Sequence, residues 1–301
     1  MSSLLTNSTA MTALQTLRSV SSQLATTQTR ISTGQRVSTA SDNAAYWSIA
    51  TSMRADNAAL SAVSDSLGLS AATVDTEYTA LTSVVGDSTG GLTKLQSLLV
   101  EAKTAGIDRA KIQADVTQIQ QQMKGTADAA TFNGVNWLSA TTATPATVNL
   151  VSSYSRVGST PTTGSITLTT SNYALYSTST NGILDTVSSG VSVNTIDITT
   201  LTDAATDQAT LDTYIAQVTS AINSVASAAA NLGAVKNRIA TNTDFVKSLM
   251  DSVDRGIGQL VDADMNQEST RLSALQVQQQ LGVQALSIAN GSSQSILSLF
   301  R

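Results

Sequence analysis

The chain contains no cysteine and no histidine. Disulfides, thiolate nucleophiles and Cys/His zinc sites are thereby excluded, and so is the side chain that most often acts as a general base. The missing cysteines do not fix the compartment, because a chain can work outside the cell without disulfides. Aromatic residues make up 4%, and the two prolines are Pro145 and Pro161. Charged residues amount to 12%, about half of the ~25% usual in a soluble domain. The net charge of −5 provides no basic footprint, so nucleic acid is not an expected partner. No stretch approaches the ~18 uninterrupted apolar residues that a membrane helix needs, so no membrane insertion is expected. The opening Met1-Ser-Ser-Leu-Leu-Thr has neither the basic nor the apolar region of a secretory signal peptide. Read on these residues alone, the chain is cytoplasmic.

Hydrophobic residues make up 41% of the 301 positions, enough for a real core rather than global disorder. They recur at helical spacing. One stripe runs Ala10, Leu14, Leu17, Ser21, Leu24, Gln28, Ile31, and a longer one Leu60, Val63, Leu67, Ala71, Val74, Tyr78, Leu81, Val85. The second keeps phase through Ser88 to Leu92, Leu95, Leu99 and Ala102, which predicts a helix running across Gly90-Gly91. Further stripes are Ile112, Val116, Ile119, Met123, then Ile215, Val218, Ile222, Val225, Ala229, Leu232, and Val246, Met250, Val253, Ile257, Leu260. Each puts one apolar face on a helix that must meet another helix. Periodicity alone fits an ordinary monomeric bundle equally well.

The two ends depart from that pattern. Residues 1–17 and 272–300 carry no charged side chain. The C-terminal stretch has two stripes, Leu272, Leu275, Gln279, Gly282, Leu286, Ala289 and Ala274, Val277, Leu281, Ala285, Ile288. A helix with two apolar stripes and no charge needs neighbours on more than one side, which points to burial in an assembly. Between residues 140 and 200 Ser and Thr dominate, and the only charges are Arg156, Asp185 and Asp197. Alternation in Ser165-Ile-Thr-Leu-Thr and in Val191-Ser-Val-Asn-Thr-Ile-Asp-Ile predicts short strands, with Asn181-Gly182 as a turn signal. The alternative for this tract is a mucin-like unstructured insert. The fold expected is mostly α: a long antiparallel, coiled-coil-like bundle formed by both chain ends, with a small inserted β domain.

Motifs with residues suited to chemistry fail on their spacing. Gly86-Asp-Ser-Thr-Gly-Gly91-Leu-Thr-Lys94 lacks the lysine directly after the second glycine of a phosphate loop. Asp262-Ala-Asp264-Met-Asn266-Gln-Glu268 alternates oxygen ligands, but Gln267 and Ser273 replace the glycine and glutamate of a calcium loop. On a helix Asp264, Glu268 and Arg271 would share a face as a small ion-pair group. Thr131-Phe-Asn-Gly-Val-Asn-Trp137 predicts a hairpin with a type I′ turn at Asn133-Gly134. Trp47 and Trp137 read as packing residues. No catalytic residue, metal ligand or cofactor is expected, and the chain is not expected to be an enzyme.

The ends carry a family pattern. Thr6-Asn7, Ala10, Leu14, Leu24, Arg30-Ile-Ser-Thr-Gly-Gln-Arg36-Val-Ser-Thr-Ala-Ser-Asp42-Asn-Ala-Ala45, Ile49-Ala50 and Met53 resemble the N-terminal signature of bacterial flagellins. Leu232-Gly-Ala-Val-Lys-Asn-Arg238-Ile, Asp262-Ala-Asp-Met-Asn-Gln-Glu268, Leu275, Gln280-Leu281, Ala285, Ala289-Asn290 and Leu297-Ser-Leu-Phe resemble the C-terminal one. Phe132-Asn-Gly134 falls where the family places its hairpin. The resemblance covers about residues 1–139 and 203–301. Tyr46-Trp47 departs from it, standing where many members have glycine.

The resemblance implies a subunit that polymerises into the helical flagellar filament used for swimming. It implies terminal helices 1–40 and 257–301 forming an inner tube, a helical spoke from 41–139 and 203–256, and a surface-exposed outer domain from 140–202. Leu14, Leu17, Leu24, Ile31, Leu272, Leu275, Leu281, Leu286 and Ile288 are the expected inner-tube core and subunit interface. Lys94, Ser97 and Glu101 align with the segment that host innate receptors read in many members. There Ser97 replaces the usual acidic residue and Lys94 the usual arginine. Implied partners are other copies of the chain or other flagellins, an export chaperone, and the filament-cap and hook-junction proteins. Implied export is of type III, without a cleaved signal, which replaces the cytoplasmic reading with an extracellular one. The alternatives are a hook–filament junction protein and an adhesin-like filament protein.

Overall fold

A computed structural model of the chain describes residues 7–140, 146–158, 160–178, 182–187 and 190–298, without the side chains of 293–298. Thr6, Pro145, Asn181 and Phe300, on which parts of the sequence reading rest, lie outside the described residues. The helices are α1 (Ser8–Thr33), α2 (Ala44–Val85), α3 (Gly91–Glu101), α4 (Arg109–Ala129), α5 (Ala205–Val261) and α6 (Met265–Ser298). Between α4 and α5 lie strands β1 (Ser139–Ala140), β2 (Thr147–Val157), β3 (Thr160–Thr169) and β4 (Tyr176–Ser177). This is the expected mostly α fold, with helices at both ends and a small central sheet region. The chain divides into two compact units, Met1–Ala58 with Asp251–Arg301, and Ala59–Met250.

In the first unit, the Asn7 side chain caps α1 by accepting the Ala10 N–H at 3.0 Å, and Gly34 ends the helix at φ 70. That left-handed turn suits glycine, which has no Cβ to clash. Asp264 caps α6, accepting the N–H groups of Asn266 and Gln267 at 2.9 and 3.2 Å. The chain links after α1 and after α5 are bonded to each other: Arg36 and Val37 donate backbone N–H to Val261 O, and Ala263 donates to Gly34 O. The Arg36 guanidinium also donates to the Leu260 carbonyl at 3.1 Å and the Gln259 carbonyl at 3.4 Å. A cation there answers both the unpaired carbonyls and the negative end of the α5 dipole. Asp42 closes the following loop by accepting the N–H groups of Ser38 and Thr39, and these bonds hold its carboxyl below the usual range. Ala50, Ile257 and Val261 form a small core, flanked by Met53, Val253 and Leu260.

In the second unit the predicted stripe of α2 is displaced by one residue at alternate positions. Ser70, Glu77 and Val84 are buried, while Ala71, Tyr78 and Val85 are half-buried. The polar pair is tolerated because each finds a bond: Ser70 Oγ donates to Ser66 O, and Glu77 accepts from Trp137 N. The helix predicted across Gly90-Gly91 is not continuous: α2 stops at Val85 and α3 begins at Gly91. Gly86 and Gly91 take φ of 66 and 70, and a Cβ on Gly91 would lie 2.6 Å from Val84 O. Two left-handed glycines in such close approach turn the chain where a helix would have to run straight. Leu92, Leu95, Leu99 and Ala102 keep their phase and are buried, so the periodicity survives the break.

The hairpin forms as predicted. Phe132 and Val135 exchange both backbone bonds at 2.9 Å, and Asn133 and Gly134 have φ of 50 and 78, as a type I′ turn requires. In the inserted tract Ser165–Thr169 lies in β3, which pairs antiparallel with β2 from Thr147↔Thr169 to Val157↔Thr160. Leu150, Ile166 and Leu168 are its buried apolar side chains. The strand predicted at Val191–Ile198 is not a strand; Val193–Thr195 form a 3-10 turn. Its backbone is satisfied by glutamines of α4 in place of a neighbouring strand. Gln120 Nε2 donates to Val193 O and Ile196 O at 3.0 and 3.3 Å, and Gln113 bonds both Ile196 O and Ile198 N. Ile196 and Ile198 are nonetheless buried, which is why the sequence alternates.

Candidate subunit interface

The first unit's helix pair contains the uncharged stretches at both ends. α1 and α6 run antiparallel: Asn7 Nδ2 donates to Ala289 O at 3.0 Å, Leu17 lies over Gly282, and Arg30 meets Glu268 at 3.1 Å. On α1 the seam is Ala10, Ala13, Leu17, Val20, Leu24, Thr27 and Ile31, all half-buried or buried. Of the residues predicted for this stripe, Leu14, Ser21 and Gln28 are exposed, and Ala13, Val20 and Thr27 hold the inner positions. The pair is tight at Gly282, where a Cβ would come within 3.1 Å of Leu17 Cδ1. Leu272, Leu275, Gln279, Gly282, Leu286 and Ala289 line the seam from α6.

The second stripe of α6 has no cover. Ala274, Val277, Leu281, Ala285 and Ile288 are exposed, with Leu281 at 57% and Ile288 at 71%. Met11 and Leu14 on α1 are exposed too, at 64% and 38%. The predicted interface residues therefore fall into two groups. Leu17, Leu24, Ile31, Leu272, Leu275 and Leu286 seal the two helices to each other, whereas Leu14, Leu281 and Ile288 face outward. Met11 and Val283 are outward-facing apolar residues that the sequence stripes passed over. Scattered exposed apolar residues are ordinary; a row of them on an uncharged helix stretch such as 272–292 is not.

The ion-pair group expected on α6 itself does not form. Asp264 is occupied as the helix cap, Arg271 is exposed, and Glu268, at 6% exposure, pairs with Arg30 of α1. Burial favours the partner across the seam, because a desolvated carboxylate gains more from a charged donor than from a solvated neighbour on its own helix. On α3, Leu92, Leu95, Leu98 and Leu99 face the interior. Ser97 and Glu101 are exposed and Lys94 is half-buried. Val100, 53% exposed, joins Ser97 and Glu101 on the outward face. Trp137 is buried, as a packing residue should be, whereas Trp47 is 37% exposed. Among the described residues no helix is long and apolar enough to cross a membrane.

Two charge-poor helices, sealed along one stripe and bare along the other, define a subunit completed by other protein chains. The comparisons with known proteins agree with that class. Residues 4–143 match the bacterial flagellin N-terminal helical region and residues 215–300 the bacterial flagellin C-terminal helical region. The chain is 46% identical to a flagellin of Brucella melitensis biotype 1 over 301 residues, with all of both chains covered. It is 44% identical to flagellin C of Rhizobium meliloti over 332 residues and 39% identical to flagellin A over 403, again with full coverage of both chains. The chain belongs to the bacterial flagellins, a family of structural proteins, and is a structural subunit of the flagellar filament.

Proposed function

We propose that this flagellin polymerises through the outward stripe of its paired terminal helices, and that its output is mechanical with no catalytic step. The observation that carries this reading is the exposed, uncharged row of Val277, Leu281 and Ile288 on α6. Contacts between unlike faces of successive copies generate an open helix when the rotation from copy to copy does not close a ring. Residues 1–40 with 257–301 then form the inner tube, with Leu14, Leu17, Leu24, Ile31, Leu272, Leu275, Leu281, Leu286 and Ile288 as its core. Residues 41–139 with 203–256 form the spoke, and 140–202 the outer surface. Export proceeds through a type III apparatus, and the same outward stripe is what an export chaperone covers before assembly. Filament-cap and hook-junction proteins are the further partners. Ser97 and Glu101, exposed on α3, face outward toward any receptor that reads this segment, with the altered pair Lys94 and Ser97 weakening that contact.

The test is seeded growth of Leu281→Asp. Leu281 is 57% exposed, so the isolated chain should keep its fold, with a stability change of roughly 0.5 kcal/mol or less. Growth on filament seeds should stop, because assembly would bury an unpaired carboxylate at a cost of several kcal/mol. Normal filaments from this variant would remove Leu281 from the interface and with it the outward-stripe reading.

A further inference from the structure

Glu77 sits on α2 in the row Leu67, Ser70, Val74, Glu77, Leu81, Val84, which faces the interior of the second unit, and it is fully buried. Its hydrogen-bonding capacity is only half used. Oε1 accepts the backbone N–H of Trp137 at 2.8 Å, and the buried Oε2 has no hydrogen-bond partner. The indole Nε1 of Trp137 is buried without a partner as well.

The charged and titratable groups on the surrounding elements are engaged elsewhere. Asp75 of α2 pairs with Lys236 of α5 at 2.8 Å. On α4, Lys124 pairs with Asp128 at 3.5 Å and stands 5.0 Å from the ring centroid of Tyr176. Tyr173 lies against Trp137 with ring centroids 6.4 Å apart, and Asp185 accepts the N–H of Ser177 at 3.1 Å. Burial raises the phenols of Tyr173 and Tyr176 above their ordinary value, so both stay neutral. Among the described residues no cation pairs with Glu77, which separates it from the other buried glutamate, Glu268.

Trp137 is the root of the inserted tract. The chain passes there from the Asn133-Gly134 hairpin to β1, and the next carbonyl, Leu138 O, accepts the N–H groups of Leu175 and Tyr176 at 2.8 and 3.0 Å. Whatever holds Trp137 to α2 therefore also holds the entry and the return of the tract. We propose that Glu77 is a proton-operated latch: protonated, it locks the root of the inserted tract onto α2, and ionised, it releases that root to let water reach the carboxylate. A carboxylate with one hydrogen bond and no counter-charge is strongly disfavoured in an apolar interior. Burial pushes the Glu77 carboxyl up to about 7, with the Trp137 N–H opposing it. An acid whose value rises on folding binds its proton more tightly folded than unfolded. The stability it contributes is full below the ordinary value of 4.5 and is lost as pH rises through about 7.

The experiment uses the full chain carrying Trp47→Phe, which leaves Trp137 as the single tryptophan. Trp137 emission and the thermal midpoint are followed from pH 5 to 9, with and without Glu77→Gln. The amide keeps a carbonyl for the Trp137 N–H and cannot ionise. With Glu77 present, the emission should move to longer wavelength in a one-proton step between pH 6 and 8, and the thermal midpoint should fall by several degrees. In the Glu77→Gln chain both should stay flat. The same pH step in Glu77→Gln would overturn the latch. Should Glu77→Gln fail to fold, the chain labelled with carboxyl-¹³C glutamate answers directly, because its only glutamates are Glu77, Glu101 and Glu268. One carboxyl signal titrating near neutrality, and retained in Glu101→Gln, is the expected result; three signals that all titrate below pH 6 would overturn it.

Discussion

Two buried glutamates meet the same difficulty in opposite ways. Glu268 has Arg30 at 3.1 Å across the helix seam, while Glu77 has one backbone N–H and, among the described residues, no cation. Arg30→Ala should therefore leave Glu268 buried and unpaired, at a cost of roughly 1–3 kcal/mol, less than for a fully buried pair because Arg30 is partly solvated. Hydrogen exchange in the first turns of α6 should quicken by about tenfold or more, since ~1.4 kcal/mol is a factor of ten. Unchanged exchange there would mean the pair contributes nothing. At this scale the sequence was legible where apolar residues face inward: Leu17, Leu24, Leu272 and Leu275 lie in the seam that their spacing implies. Glu77 was not legible, because a count of apolar positions steps past a polar residue to its neighbour Tyr78. Only the pairing with Trp137, 60 positions away, explains its burial.

At the scale of helices and strands, the approach of α1 to α6 depends on the missing side chain at Gly282. Gly282→Leu should push the helices apart, since even a Cβ would meet Leu17 Cδ1 at 3.1 Å. The loss should be roughly 1–3 kcal/mol, as for an overpacked core, and Leu17→Ala in the same chain should restore much of it. Absence of that rescue in paired unfolding measurements would separate the two residues. Gln120→Leu tests the other unusual junction. It strips the Val193 and Ile196 carbonyls of their Gln120 donor and should cost about 1–3 kcal/mol in urea unfolding. The same alternation marked Ser165–Thr169 and Val191–Ile198, yet only the first is a strand. Alternation records which side chains are buried. It does not record whether a strand or glutamine side chains satisfy the backbone, and that choice lies in α4 and α5, whose Gln113, Gln120 and Gln217 bond this segment. The break between α2 and α3 was hidden for a related reason: the apolar phase resumes after Gly91, and only the left-handed glycines betray the turn.

For the molecule as a whole, the division between sealed and bare stripes separates folding from assembly. Leu286 lies half-buried in the seam and Leu281 faces outward. Leu286→Asp should weaken the helix pair and assembly together, whereas Leu281→Asp should spare the first and abolish the second. Circular dichroism of the isolated chain beside sedimentation of seeded mixtures would tell the two apart, and equal behaviour of both variants would contradict the division. The whole-molecule plan was the most legible level of all, since two uncharged ends around a charge-poor insert already imply partners beyond the chain. The direction each stripe faces was less so, because an offset of one residue turns a side chain by about 100° around the helix.

The most direct test is electron microscopy of the purified chain mixed with short filament seeds, beside a version lacking residues 1–31 and 272–301. Long filaments from the intact chain and none from the shortened one are expected, which would place the essential contacts in the terminal helices. Growth of both versions would contradict that account and move those contacts to residues 32–271.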